Sequence, residues 1–142
     1  MQPLSIFVLS VIFAATTSLA VAQTALYTAN ARAQGAPLDI SVTETKREAT
    51  RSYLRIPEFN TRTASGQRWL MCAYTDLAIK RGFNYWTVMD PAEGSDMLVV
   101  GFSNLVNASS KELFGSEYVD ERASGRDMTP VKELMGFCGF HR

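Results

Sequence analysis

Histidine occurs once, as His141, and cysteine twice, as Cys72 and Cys138. That scarcity removes whole chemistries. A structural zinc site takes four Cys or His ligands, so no metal is assigned, and no other cofactor is expected. A thiol nucleophile needs a base held beside it, and the one histidine is the penultimate residue. No Gly-x-Ser-x-Gly elbow, glycine-rich phosphate loop or His-Glu-x-x-His motif occurs, which leaves the common hydrolase, nucleotide-binding and metalloprotease signatures unrepresented. Net charge is lacking too. The 14 Lys and Arg offset 14 Asp and Glu, for a balance of +0, so nothing steers the whole molecule towards a phosphate backbone or an anionic membrane. A nucleic-acid partner is not expected. Internal repeats and low-complexity tracts are also absent.

What remains is an ordinary globular composition. With 46% hydrophobic and 20% charged side chains over 142 residues, the chain suits one domain with a real core. The first 22 residues stand apart. An apolar run from Leu4 to about Ala15 continues through small residues to Ala20-Val21-Ala22, before Gln23. A short apolar core ending in a small-x-small site reads as a secretory signal peptide, with cleavage between Ala22 and Gln23. No Lys or Arg precedes the core, and an uncleaved anchor is the competing reading, since about 20 apolar residues span a bilayer. After cleavage no membrane span is expected, and the mature protein is placed in the periplasm or outside the cell. No cysteine follows the cleavage site, which excludes a lipid at the new N-terminus.

Residues 23–37 are small, polar and aperiodic, and predict a flexible leader without fixed structure. Residues 38–142 are then a single α+β domain. Weak alternation over 38–45 and 52–59 predicts two strands, with Pro57 at a strand end or edge. From Thr63 the period changes. Leu70, Ala73, Tyr74, Leu77 and Ala78 fall on one helical face. Thr63 or Ser65 can cap that helix, Lys80 and Arg81 suit its negative end, and Gly82 can end it. Trp69, Met71, Cys72 and Ile79 lie off the stripe, so a second element must cover them. Residues 83–90 and 96–103 read as a hairpin around Pro91 and Gly94. Residues 110–114 fit either a short helix or part of a long loop. Thr129-Pro130 resembles a cap and first helical position, predicting a short C-terminal helix over 131–135 that stops at Gly136. The architecture predicted is a small, mainly antiparallel sheet packed against one long helix.

Three readings of the cysteines stay open: a disulfide, two buried free thiols, or a reactive thiol. In an oxidising compartment the pair Cys72 and Cys138 is the one intramolecular bridge the mature chain allows. Closing its loop of roughly 65 residues would stabilise by about 4 kcal/mol and bring the C-terminal aromatics against the helix.

Charge is unevenly spread. Residues 43–68 hold six basic and three acidic side chains, while residues 90–127 hold eight acidic and three basic ones. Two solvated faces that attract each other within the fold account for this. The functional alternative is an acidic partner-binding face drawn from Asp90, Glu93, Asp96, Glu117, Asp120 and Glu121. Asp90, Glu93 and Asp96 would also offer oxygen ligands to calcium, but their spacing is not that of an EF-hand loop, and a solvated turn is the plainer reading. Arg62 and Arg68 near the helix start suit either an anion or plain solubility, and Asp76 with Lys80 at i+4 makes a surface pair. Asn107-Ala108-Ser109 fits an N-glycosylation acceptor, relevant to a eukaryotic source alone.

Residues 53–90 run through an edge strand, a Thr-containing cap, AYTDLAIKRG and an aromatic strand FNYWTVMD. This layout resembles small bacterial envelope lipoproteins of the CC0125/CC1285 type, whose role is uncharacterised. The resemblance implies an α+β fold and an envelope location, and brings no catalytic residues. The missing lipid-acceptor cysteine, the cysteine pair and the acidic segment after Ser103 depart from that pattern. The expected function is a non-catalytic binding or accessory protein with a protein partner. An inhibitor or immunity-type protein that masks a partner through the acidic face is one alternative. A carboxylate-based hydrolase using Asp90, Glu93 or Asp96 is the other, and requires those acids to line a pocket with Arg or Tyr.

Overall fold

The longest element, α1 (Ala64–Arg81), fixes the rest of the architecture. In the computed structural model, which describes residues 25–123 and 128–140, the Thr63 hydroxyl accepts from the Gly66 N–H at 3.2 Å and starts the helix. Gly82 ends it at φ 80°, a left-handed conformation that glycine adopts without a Cβ clash. The predicted stripe of Leu70, Ala73, Tyr74, Leu77 and Ala78 is buried throughout.

That stripe packs on one face of a six-stranded antiparallel sheet in the order β1-β2-β3-β5-β4-β6. The strands are β1 (Thr28–Asn30), β2 (Ser41–Arg47), β3 (Arg51–Arg55), β4 (Tyr85–Met89), β5 (Met97–Ser103) and β6 (Thr129–Pro130). β5 occupies the centre between β3 and β4, and five consecutive residues, Leu98–Phe102, are buried. The core joins Leu54, Ile56, Leu98, Val100 and Phe102 of the sheet region to Leu70 and Leu77 of the helix. Trp86 of β4 packs edge-on against Tyr74 with ring centroids 5.4 Å apart. Its indole N–H donates to the buried Thr75 hydroxyl at 3.0 Å, which donates in turn to the Met71 carbonyl at 2.9 Å. Three polar groups beneath the helix are thereby satisfied.

The opposite face is covered by α2 (Ser110–Phe114) and the chain after it. Phe114 is fully buried with Met89 and Val99, flanked by Tyr53, Tyr118 and Val119. A side chain at Gly101 would meet the Phe114 ring at 3.3 Å, so glycine lets the ring lie flat on the sheet. α3 (Val131–Cys138) packs beside α1, contributes Val131 to the core, and is bonded to α1 by Cys72–Cys138, whose Cα atoms are 5.6 Å apart. The α+β class, the long helix, the hairpin and the bridge thus match expectation.

Four expectations are corrected. Residues 23–37 are not a structureless leader. Within them Thr28–Asn30 pairs with Ser41–Thr43, and Tyr27 and Ala31 are buried. The domain therefore includes residues upstream of 38. Thr129 is not the cap and Pro130 is not the first helical residue: the pair is extended against Trp86 and Tyr85, and Pro130 stands at the N-cap position without a side-chain bond before the helix starts at Val131. The C-terminal helix passes through Gly136 to Cys138 and ends at Gly139, whose φ of 72° supplies the stop. Of the two terminal phenylalanines, Phe140 reaches the Trp69 and Cys72 side of α1, whereas Phe137 stays 63% exposed. The expected signal peptide, with its Ala22–Gln23 cleavage, and His141 lie outside the described residues.

Candidate functional site

The acidic stretches meet at Asp90, the last residue before the β4–β5 turn. Its N–H donates to the Arg122 carbonyl at 2.7 Å, and Arg122 Nε donates to the Asp90 carbonyl at 2.8 Å. Beside this clasp, Met89 and Ala123 form an isolated bridge. Asp90 and Glu93 thereby share one end of the sheet with Asp120 and Glu121, which precede the clasp, and all four are exposed.

The other two candidate acids are engaged by the basic segment. Asp96 pairs with Arg55 at 3.3 Å. Glu117 accepts from the Tyr53 hydroxyl at 2.6 Å and lies 3.4 Å from Arg51. Mutual attraction of the two charged segments therefore explains part of the charge pattern. Asp90, Glu93, Asp120 and Glu121 have no ion pair among the described residues. No group of three His, Cys, Asp or Glu side chains among them converges as a metal site would.

Asp90 also forms the rim of a cleft between α1 and the outer half of β4. Among the described residues β6 pairs with β4 at Tyr85 and Trp86, and Ala123 bridges Met89. Gln67, Met71 and Tyr74 reach the cleft from one helical face, and Trp86, Val88 and Asp90 from alternate positions of the strand. Phe59 and Thr129 complete the lining, and the free volume is about 120 Å³. Phe59 is set by the turn that begins at Glu58, the one described non-glycine residue with positive φ, at 58°.

Tyr74 is 4% exposed, yet its hydroxyl has no hydrogen-bond partner among the described residues. Burial pushes its pKa well above the ordinary tyrosine value, and the Asp90 charge adds to that. The Asp90 carboxyl is also raised, because partial burial outweighs the opposing pull of Arg122. Three larger hollows lack these groups. One of about 450 Å³ is lined by Asn84, Asn104 and Lys132 among others, one of about 440 Å³ by Leu26, Arg47 and Lys80 among others, and one of about 410 Å³ by Asn30, Gln34 and Thr43 among others; none of the three contains a carboxylate. Chemistry, rather than size, selects the smaller cleft.

Other sequence candidates have structural jobs. Arg62 donates to the Asp39 and Pro57 carbonyls, and Arg68 to the Ser65 hydroxyl. Asp76 binds Lys80 at 2.8 Å as expected and also accepts from the Tyr27 hydroxyl at 2.9 Å. Arg81, read from sequence as a dipole partner, turns inward over Phe83 and Phe102 and donates to the carbonyls of Glu48, Ala49 and Arg51. Both cysteines are in the disulfide, so neither offers a thiol. Helical spacing placed Tyr74 on the apolar face of α1, but strand spacing left open whether the face of Trp86 or that of Tyr85 packs on the helix, and the meeting of Tyr74, Trp86 and Asp90 depends on neighbours distant in sequence. No described helix is long and apolar enough to cross a membrane. No known protein family, curated protein or solved structure matches the chain.

Proposed function

We propose that this chain is an exported, non-catalytic binding or accessory protein of the periplasm or extracellular space, and that it engages a basic protein partner through the Asp90 end of the sheet. The observation that carries the reading is the cluster of four exposed acids, Asp90, Glu93, Asp120 and Glu121, without ion pairs among the described residues. A like-signed rim next to an aromatic cleft favours a positively charged surface and steers its approach. The bonded Cys72–Cys138 pair supports export, since such bridges persist in oxidising compartments. The layout likeness to small envelope proteins points the same way.

The test is capture of partners from an envelope or culture-supernatant fraction by the wild type and by a Glu93→Gln, Asp120→Asn, Glu121→Gln variant. A protein held by the wild type, released by added salt and lost to the variant supports the proposal. Partners held equally by both sink the acidic-face reading. Export is tested by intact mass, which should lack residues 1–22 and two hydrogens.

The hydrolase alternative gains one observation, because Asp90 does line a concave cleft with Tyr74. Carboxylate-based hydrolysis uses a second carboxyl group across the cleft. Neither Glu93 nor Asp96 lines it, and Asp96 is held by Arg55. Binding therefore remains the better reading.

A further inference from the structure

We propose that the cleft between α1 and β4 is a receptor for one alkylammonium group. Three observations converge on a cation with a short apolar stem. The first is an acceptor without a counter-ion: Asp90 at the rim is ion-paired to no described residue, and its charge is partly shielded from water. A bound ammonium would restore the lost solvation through a charge-assisted hydrogen bond. The second is Tyr74, a residue 4% exposed that lines the same space and whose hydroxyl makes no hydrogen bond with a described residue. It can accept a second N–H from the same ammonium. The third is the wall, where Trp86, Phe59, Met71 and Val88 offer aromatic and apolar surface suited to a methylene stem and to cation–π attraction.

Size and charge exclude the other ligand classes. About 120 Å³ is the room of about four waters, too little for a nucleotide or drug-sized ligand. An anion would meet the Asp90 carboxylate, and no basic side chain lines the cleft among the described residues. A purely apolar ligand would leave both Asp90 and Tyr74 unsatisfied. Arg122 is the described positive charge that acts on Asp90. Its Nε is committed to the Asp90 backbone carbonyl rather than to the carboxylate.

This assignment deepens the proposed function by naming the group that the acidic end would capture, a lysine side chain of the partner, and it rests on that reading for the source of the amine. The same chemistry is offered by a free small amine. Titration of the full mature chain with n-butylammonium, n-butanol and a capped Ala-Lys-Ala peptide separates these cases, read through the indole N–H resonances of the two tryptophans. Trp86 lines the cleft, whereas Trp69 lines a separate hollow with Cys72 and Phe140 and serves as an internal reference.

Butylammonium should shift the Trp86 signal alone, with a Kd of about 1–10 mM given so few heavy atoms, and the neutral alcohol should bind more weakly. Asp90→Asn should weaken the amine about tenfold or more, and Tyr74→Phe by a smaller factor. Arg122→Gln should tighten it. Tighter binding of the peptide than of butylammonium identifies the source as a protein lysine, and the reverse identifies a small amine. Equal binding of butanol and butylammonium, an unaffected Asp90→Asn variant, or weaker binding in Arg122→Gln overturns the assignment. Loss of amine binding with partner capture intact would remove this cleft while leaving the acidic-face reading standing. Amine binding in the cleft without any acid-dependent partner would do the opposite.

Discussion

The backbone N–H of Tyr27 donates to Glu44 Oε2 across 2.8 Å, fixing the residue that leads into β1 to a fully buried carboxylate on the neighbouring strand. The same carboxylate accepts from Ser52 Oγ at 2.6 Å and from Arg47 Nε at 2.8 Å, so three strands converge on one charge. Burial by itself would raise the Glu44 pKa, but the bonds from Arg47, Ser52 and Tyr27 outweigh it and hold the group below its ordinary value. A folded-state pKa that is depressed contributes stability above the unfolded value and loses it as pH falls through the folded one. Glu44→Gln should therefore cost about 3 kcal/mol at neutral pH, since it leaves Arg47 half-buried without its partner. Urea unfolding of wild type and variant should show that gap closing in acid. A gap of constant size from neutral to acid pH would show that packing, not charge, holds β1.

The disulfide joins positions 66 residues apart and ties α3 to the side of α1 that faces away from the sheet. Loop closure of that length stabilises by about 4 kcal/mol. A double Cys72→Ala, Cys138→Ala variant should lose about that much in chemical denaturation while retaining the cleft, whose α1 residues Met71 and Tyr74 belong to the sheet-facing side. Selective loss of partner or amine binding in a variant that remains folded would give the bridge a functional role that its position does not suggest.

Gly101 and Phe114 make a narrower prediction. A methyl group added at Gly101 would stand 3.3 Å from the Phe114 ring, which leaves room for only a slight retreat, and overpacking of this kind costs about 1–3 kcal/mol. Gly101→Ala should lower the Tm, and Gly101→Val should lower it further, with changes in near-UV circular dichroism from the Tyr53 and Tyr118 cluster. An unchanged Tm for Gly101→Ala would mean that α2 is held by its cap and not by the ring.

Legibility of the fold followed the range of the interactions involved. α1 was readable because its period, its Thr63 cap and its Gly82 stop all act within a few residues. The β4–β5 hairpin was readable for the same reason. β1 was not, since Ala29 and Asn30 have little strand propensity and the three-residue strand is held by β2 and by a carboxylate 17 positions from Tyr27. Thr129-Pro130 misled because the same dipeptide suits a helix start and an edge strand, and only the exposed flank of Trp86 decides between them. Of the candidate site, the acids were visible as charge, but their division into paired and unpaired groups depends on Arg51 and Arg55 lying opposite.

Asp90 carries the prediction that separates function from stability. Its pKa is raised from the ordinary 3.8 because partial burial disfavours the charged form more than Arg122 favours it. For a raised folded-state pKa, the contribution to stability is fully present below the unfolded value and is lost as pH rises through the folded value. At neutral pH the carboxylate therefore works against the fold, and Asp90→Asn should raise the Tm at pH 7 while leaving it unchanged near pH 3. The same substitution should abolish most amine binding at pH 7. A residue that destabilises the free protein while supplying the ligand's principal contact is the expected signature of a binding group. If Asp90→Asn instead lowers the Tm at pH 7, the carboxylate is stabilised within the fold, and the reason for an ammonium to enter the cleft disappears.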